Sequence, residues 1–166
     1  MVRIGLLSDT HACWDERFSK YFEACDEIWH AGDIGCLDLY EKFESTGKRV
    51  RAVVGNIDGQ DLRRFLKKVE HFRCEEVDVL MTHIGGYPGK YAPGMKTLLD
   101  AAKPKLFVCG HSHILKAQYD PVRQMLCLNP GAAGTSGFHK VRTLMRFVID
   151  GANIRDLEVI ELNDRI

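Results

Sequence analysis

The sequence has no net charge: 23 Lys plus Arg balance 23 Asp plus Glu over 166 residues. Without a surplus of either sign there is no field to concentrate a polyanion or an anionic membrane, so bulk nucleic-acid binding is not expected. Six cysteines occur (Cys13, Cys25, Cys36, Cys74, Cys109 and Cys127), but no CxxC pair is among them. That spacing excludes a structural zinc ribbon and offers no disulfide framework, so reduced thiols are expected. No apolar run approaches the roughly 20 residues of a membrane helix, and the first strand-like run starts at Val2. Neither a membrane span nor a signal peptide is expected, and the cytoplasm is the expected compartment. Repeats, low-complexity tracts and linkers are also missing, which leaves a single domain over residues 1–166 as the expected organisation.

What is present is an alternation of strand and helix signals. "RIGLLSD" is a short apolar run ending in a polar turn, as a buried strand would be. In "DERFSKYFEACDE", Phe18, Tyr21, Phe22 and Cys25 fall at i, i+3, i+4 and i+7, an amphipathic helix stripe. "EIWHAGD" reads as a strand and "LDLYEKFEST" as a helix ended by Gly47. "RVRAVVGN", "VDVLMTH" and "KLFVCGH" are further strand runs, with a helix in "APGMKTLLDAAKP" between the last two. The second half reads as two hairpins, one around Asp120-Pro121 and one around Asp150-Gly151. Parallel βαβ units followed by antiparallel strands predict an α/β fold with two mixed sheets face to face and helices outside.

The carboxyl ends of five strand runs carry the chemistry. They read Ser8-Asp9-Thr10-His11, Gly32-Asp33, Gly55-Asn56-Ile57-Asp58, Thr82-His83 and Gly110-His111-Ser112-His113. Ligands of open α/β sheets bind beyond such ends, so the five clusters are expected in one crevice. His111 and His113 are expected on one side of an extended backbone, because strand side chains repeat with period two. Carboxylate, imidazole and amide oxygen without thiolate suit borderline divalent metals. The candidates are Asp9, His11, Asp33, Asn56, His83, His111 and His113: too many for one tetrahedral ion, enough for two ions sharing a carboxylate. Any one of these tripeptides alone is common turn or cap vocabulary; their joint order is the signal.

Together the motifs resemble those of the calcineurin-like metallophosphoesterases, whose signature runs D-x-H, G-D, G-N-H-[D/E], H and G-H-x-H. The match spans residues 9 to 113, and the short length and "NPGAAG" (Asn129 to Gly134) look like the small bacterial and archaeal phosphodiesterases of that superfamily. The resemblance implies a four-layer α-β-β-α sandwich. It implies one metal on Asp9, His11, Asp33 and His113 and a second on Asp33, Asn56, His83 and His111, with Asp33 bridging. Asp33, Asn56 and His83 would be catalytic. The implied cofactors are two divalent ions, manganese first, with iron, zinc, nickel or cobalt as alternatives. The implied reaction is phosphodiester hydrolysis by a hydroxide bridging the two metals. The implied substrate is a small phosphodiester or nucleotide-like molecule, and homodimers occur in this class of fold. A phosphomonoesterase on the same site, or a scaffold of the same fold without turnover, are the alternatives.

The chain departs from the signature at Ile57, where the broader family often has a histidine that protonates the leaving oxygen. General acid catalysis is worth about 10²–10⁴-fold, so a preference for activated diesters is expected. Asp58 is either an acceptor for groups around the ligands or a helix cap. After His83 the chain reads Ile84-Gly85-Gly86-Tyr87-Pro88-Gly89-Lys90-Tyr91, which lacks the spacing of a phosphate-binding P-loop. It is read as a flexible connection or as a substrate wall, with Tyr87 or Tyr91 against a base and Lys90 near phosphate. His139 is the first candidate for a substitute acid. His30 reads as a packed residue beside the ligands, and His71 lies in a polar region with no partner pattern.

Overall fold

Along Val2–Leu7 (β1), Ile4 and Leu6 point to one side and Leu7 to the other, and all three are fully buried. A strand with apolar residues on both faces must be covered on both faces, which already calls for layers above and below. The computed structural model describes residues 1–162; the last four positions of the expected 1–166 domain lie outside the described residues. After β1 come α1 (Glu16–Tyr21), β2 (Glu27–His30), α2 (Leu37–Glu44), β3 (Arg49–Ala52) and α3 (Gln60–Arg63). Then follow β4 (Val69–Cys74), β5 (Val77–Thr82), β6 (Gly86–Tyr87), β7 (Lys90–Tyr91), α4 (Met95–Ala102) and β8 (Leu106–Val108). The chain closes with β9 (Lys116–Asp120), β10 (Met125–Asn129), β11 (Arg142–Asp150) and β12 (Asn153–Leu162).

Two five-stranded sheets result, in the orders β12-β11-β1-β2-β3 and β4-β5-β8-β10-β9, beside the small β6–β7 hairpin. In the first sheet β1, β2 and β3 are parallel and β11 and β12 antiparallel; in the second β5, β8 and β10 are parallel, with β4 and β9 antiparallel at the edges. The mixed sheets agree with the expectation. Ile4, Leu6, Trp29, Val79, Met81, Val108 and Phe147 meet between the sheets. Leu7, Ile28 and Val54 face outward onto Phe18, Phe43 and Leu62 of α1 to α3. Leu80 and Phe107 face outward onto Met95 and Leu99 of α4. Three apolar interfaces make four layers, α-β-β-α.

The elements differ from the sequence reading in four places, one of them the short α3, which the reading does not include. The first helix is shorter than its stripe: it ends at Tyr21, and Phe22 and Cys25 stay in the core through tight turns closed by Phe22 N–H on Phe18 and Cys25 N–H on Phe22. β4 carries no strand signal of its own, because its sequence VEHFRC is polar and half exposed, as an edge strand can be; it contains His71, which stands opposite Leu80 of β5. The glycine-rich segment after His83 is an ordered hairpin rather than a flexible connection. Gly86 takes φ +80°, and a Cβ there would come within 2.4 Å of the Lys90 carbonyl oxygen. No helix among the described residues is long and apolar enough to cross a membrane.

Candidate metal centre

The loops after β1, β2 and β3 leave one sheet and those after β5 and β8 leave the other, and they meet at the seam between the two. Parallel pairing continues into the ligand loops: Asp9 N–H donates to the Gly32 carbonyl at 3.0 Å and His11 N–H to the Asp33 carbonyl at 3.0 Å. From the other sheet, Gly110 N–H reaches the His83 carbonyl at 3.0 Å. The "NPGAAG" segment leaves β10 and ties the sheets together, with Ala133 N–H on the Ser8 carbonyl at 2.9 Å and Gly134 N–H on the Asp9 carbonyl at 3.0 Å.

Two groups of potential ligands form at this seam. In one, Asp9, His11 and His113 each offer an atom within 4.8 Å of the others; in the second, Asp33, His83 and His111 do the same. Asn56 joins the second, its Oδ1 lying 3.1 Å from His111 Nδ1. Asp33 stands between the groups: its Oδ2 is 3.4 Å from His11 Nε2 and 3.2 Å from His83 Nε2. All seven candidates are therefore together, and His111 and His113 do belong to different groups. The expected reason for their common direction is wrong. The strand stops at Val108, and His111 and His113 adopt left-handed backbone at φ 71° and 62°. Asp9, His11 and Asp33 are left-handed too, at 56°, 47° and 56°. Five of seven candidates in a region that non-glycine residues seldom occupy marks stored backbone strain, which concentrates at functional sites.

The ligand atoms are aimed by their other contacts. Asp9 Oδ2 accepts from Ser8 Oγ at 2.6 Å and from His111 N–H at 3.1 Å, leaving the buried Oδ1 without a hydrogen bond. His83 Nδ1 lies 2.7 Å from the Ala31 carbonyl oxygen, so that nitrogen carries the proton and Nε2 keeps its lone pair. His11 Nε2 and His83 Nε2 are likewise buried without an aligned partner. Buried polar atoms ordinarily find partners, so these three orphans, all pointing into one space, are what a divalent cation would satisfy. The oxygen and imidazole set fits that ion class. Glycine completes the cradle: a Cβ at Gly55 would lie 2.0 Å from Asp33 Oδ1.

Burial alone would raise Asp33, but the imidazoles of His83 and His11 and the N–H of Ile57 outweigh it, and its carboxyl sits below the ordinary range. Burial would lower His83, yet Asp33 and Asp9 beside it hold its pKa above the usual value. Binding a cation at Nε2 thus competes with a proton. Burial dominates at His113 and lowers it.

His30 lies behind the site, packed beside the ligands in agreement with the sequence reading. Its Nδ1 accepts Gly32 N–H at 3.1 Å, and its Nε2–H faces Thr10 Oγ1 at 2.9 Å, whose own proton goes to the Ile34 carbonyl. No position is left for a second proton, and burial first, then the neighbouring His83, pushes its pKa down to about 3. A depressed histidine stabilises the fold fully above the unfolded pKa near 6.5 and less as pH falls from there toward 3. The slope approaches about 1.4 kcal/mol per pH unit for one proton. In metal-free protein, urea unfolding between pH 6.5 and 4.5 should show this loss, and His30→Asn should flatten it. Parallel wild-type and variant curves would contradict the assignment.

Asp58 is an acceptor and caps no helix, since Gly59 holds the N-cap of α3. Its Oδ2 accepts from Gly55 N–H at 2.8 Å and Ile34 N–H at 3.2 Å, and its Oδ1 from Gly35 N–H at 2.9 Å. Ile57 is 46% exposed at the rim, and its N–H donates to Asp33 Oδ1 at 3.0 Å. His139 packs edge-on against His113 with centroids 5.1 Å apart, and its Nε2–H is engaged by the Gly134 carbonyl at 2.8 Å. Tyr87 and Lys90 sit on the hairpin beside His111. Two residues that sequence reasoning misses are Ser8, which orients Asp9, and Arg63, whose guanidinium donates to the carbonyls of Asp58 at 2.7 Å and Gly55 at 2.9 Å. Ser8 directly precedes a ligand, which is a usable signal; Arg63 reads like any surface cation.

A family model described as the calcineurin-like phosphoesterase superfamily domain matches residues 2–152. No curated protein matches the chain. Among solved structures, Vps29 from Chaetomium thermophilum superposes with a TM-score of 0.77 at 12% identity, covering 98% of this chain and 97% of that one. A structure described as a novel archaeal phosphodiesterase gives 0.75 at 20% identity, covering 96% and 99%. A conserved protein from Streptococcus pneumoniae, described as a predicted phosphoesterase, gives 0.72 at 19%, covering 96% and 89%. At these identities the likeness is one of fold.

Proposed function

We propose that the chain, which belongs to the calcineurin-like phosphoesterase superfamily, is a two-metal hydrolase of phosphodiesters. The observation that carries this reading is the Asp33 carboxylate standing between two ligand groups whose buried Asp9 Oδ1, His11 Nε2 and His83 Nε2 accept or donate no hydrogen bond. Asp9, His11 and His113 with Asp33 would hold one cation, and Asn56, His83 and His111 with Asp33 the other. Two divalent ions so placed supply a lowered water pKa and a charge clamp for phosphoryl oxygens.

The chain's own residues set the rest. The Ile57 N–H holds Asp33 Oδ1 and leaves Oδ2 toward both groups. The Ser8 hydroxyl and His111 N–H aim Asp9 in the same way. No protein nucleophile is needed. The side chain of Ile57 gives no proton to a leaving oxygen, and the N–H of His139 is already engaged by Gly134. Diesters with good leaving groups should therefore react best, because their departing oxygen needs little protonation.

The test is hydrolysis by protein stripped of metal and reloaded. Bis(p-nitrophenyl) phosphate should be turned over only with added Mn²⁺, and at least about tenfold faster than p-nitrophenyl phosphate, a barrier difference of about 1.4 kcal/mol. Faster monoester turnover would make the protein a phosphatase. No turnover with Mn²⁺, Ni²⁺, Co²⁺ or Zn²⁺ would make it a scaffold.

A further inference from the structure

We infer that the cleft between the β6–β7 hairpin and the His111 loop binds one ester arm of the substrate, and that this arm carries a planar aromatic ring with hydrogen-bond acceptors. The inference rests on the phosphodiester reading for the metal side of the cleft. The cavity is about 490 Å³, within the range of small-molecule sites. Gly110, His111 and Ser112 form one wall, so it opens directly beside the second ligand group. A phosphoryl centre held there has a substituent that must go somewhere, and this cleft adjoins it.

The lining is apolar where a ring would lie and polar at its edge. Ile84 and Ile114 are 46% and 61% exposed and line the same concavity as Tyr87. Exposed aliphatic side chains in a concavity favour a ligand that covers them. The Lys116 ammonium sits 4.1 Å from the centroid of the Tyr87 ring. This cation–π contact ties the hairpin to the first residue of β9 and puts positive charge beside an aromatic face. Lys90 is on the same wall. The Ser112 Oγ accepts from Ile114 N–H at 3.2 Å and from Asn129 Nδ2 at 3.2 Å, so its own proton is free to donate into the cleft. Cations and a hydroxyl proton around an apolar slot select a ring that bears acceptor atoms, as a nucleobase or nitroaryl group does.

The slot is also preformed, which spares a ligand the cost of ordering it. Ala92 N–H closes the hairpin onto the Gly85 carbonyl at 3.0 Å, and the Tyr91 hydroxyl donates to Asp120 at 2.7 Å. A second cleft of about 320 Å³ lies across Ile84 and is lined by Asn56, Arg63, Lys68 and His83. Its lining has neither a tyrosine nor Ile114, so the two arms of a diester are not interchangeable here.

The inference is tested by calorimetric binding to Mn²⁺-loaded protein, with phenyl phosphate and methyl phosphate as probes. Phenyl phosphate should bind about tenfold more tightly than methyl phosphate, from ring burial and stacking. Tyr87→Ala should reduce that ratio to less than about threefold. Ile114→Ser should do the same, and as a change at an exposed residue it serves even if the hairpin variant fails to fold. Equal affinities for both probes in the wild type, or an intact ratio in both variants, would overturn the inference. Failure to hydrolyse any diester with the ring preference intact would instead remove the phosphodiesterase reading and leave the slot standing.

Discussion

Asp33→Asn should lower Mn²⁺-dependent hydrolysis of bis(p-nitrophenyl) phosphate about 10³-fold or more, the scale of several kcal/mol of lost charge stabilisation. The substitution is nearly isosteric and can keep its carbonyl oxygen on the Ile57 N–H. The other terminus becomes an amide NH₂ directed at the space between His11 and His83, where Oδ2 now lies 3.4 and 3.2 Å from their Nε2 atoms. An uncharged donor cannot share two cations as a carboxylate can. Bound manganese should fall below two per chain by elemental analysis, while the far-UV circular dichroism stays native. Turnover within tenfold of wild type at full metal content would sink the shared-carboxylate reading.

Asp58→Ala should destabilise the metal-free protein by about 3 kcal/mol, because buried donors left without acceptors cost roughly 1–3 kcal/mol each, offset by relief of a buried charge. For a chain of this length that is a fall in Tm of about 10 °C. The three N–H groups concerned, Ile34, Gly35 and Gly55, belong to two loops, one following Asp33 and the other preceding Asn56. One carboxylate therefore sets the distance between the loop of Asp33 and the loop of Asn56. Metal affinity should fall together with Tm. A calorimetric shift under about 2 °C would show that the loops hold their spacing without it.

Residues whose role depends on type and order are legible in the sequence. The seven candidate ligands announce themselves as Asp, His and Asn at the ends of apolar runs, and the α/β alternation predicts their convergence. Residues whose role depends on geometry are not legible in that way. Asp58 reads equally well as a cap, and only the approach of the β2 loop shows which backbone groups it serves. VEHFRC lacks the alternation of a half-buried strand, and its pairing with β5 comes from the neighbouring chain rather than from its own composition. Tyr87 is a candidate wall from its position after His83, but Lys116, far along the sequence, is what holds it. The common direction of His111 and His113 does not come from the period-two rule, since extended and left-handed backbones can both turn two side chains one way.

The left-handed ligands carry a consequence for how this sequence could drift. Aspartate and histidine at positive φ are held against their own preference, whereas glycine adopts such angles freely. Replacing His111 or His113 with glycine would relieve strain of order 1 kcal/mol per site in the metal-free chain, whereas at Asp9 and Asp33 the loss of an acceptor for the His111 and Ile57 N–H groups would offset it. A lineage released from metal chemistry would therefore find its relief at the two histidines. The crevice of this chain is a place where the most comfortable residue and the present residue differ.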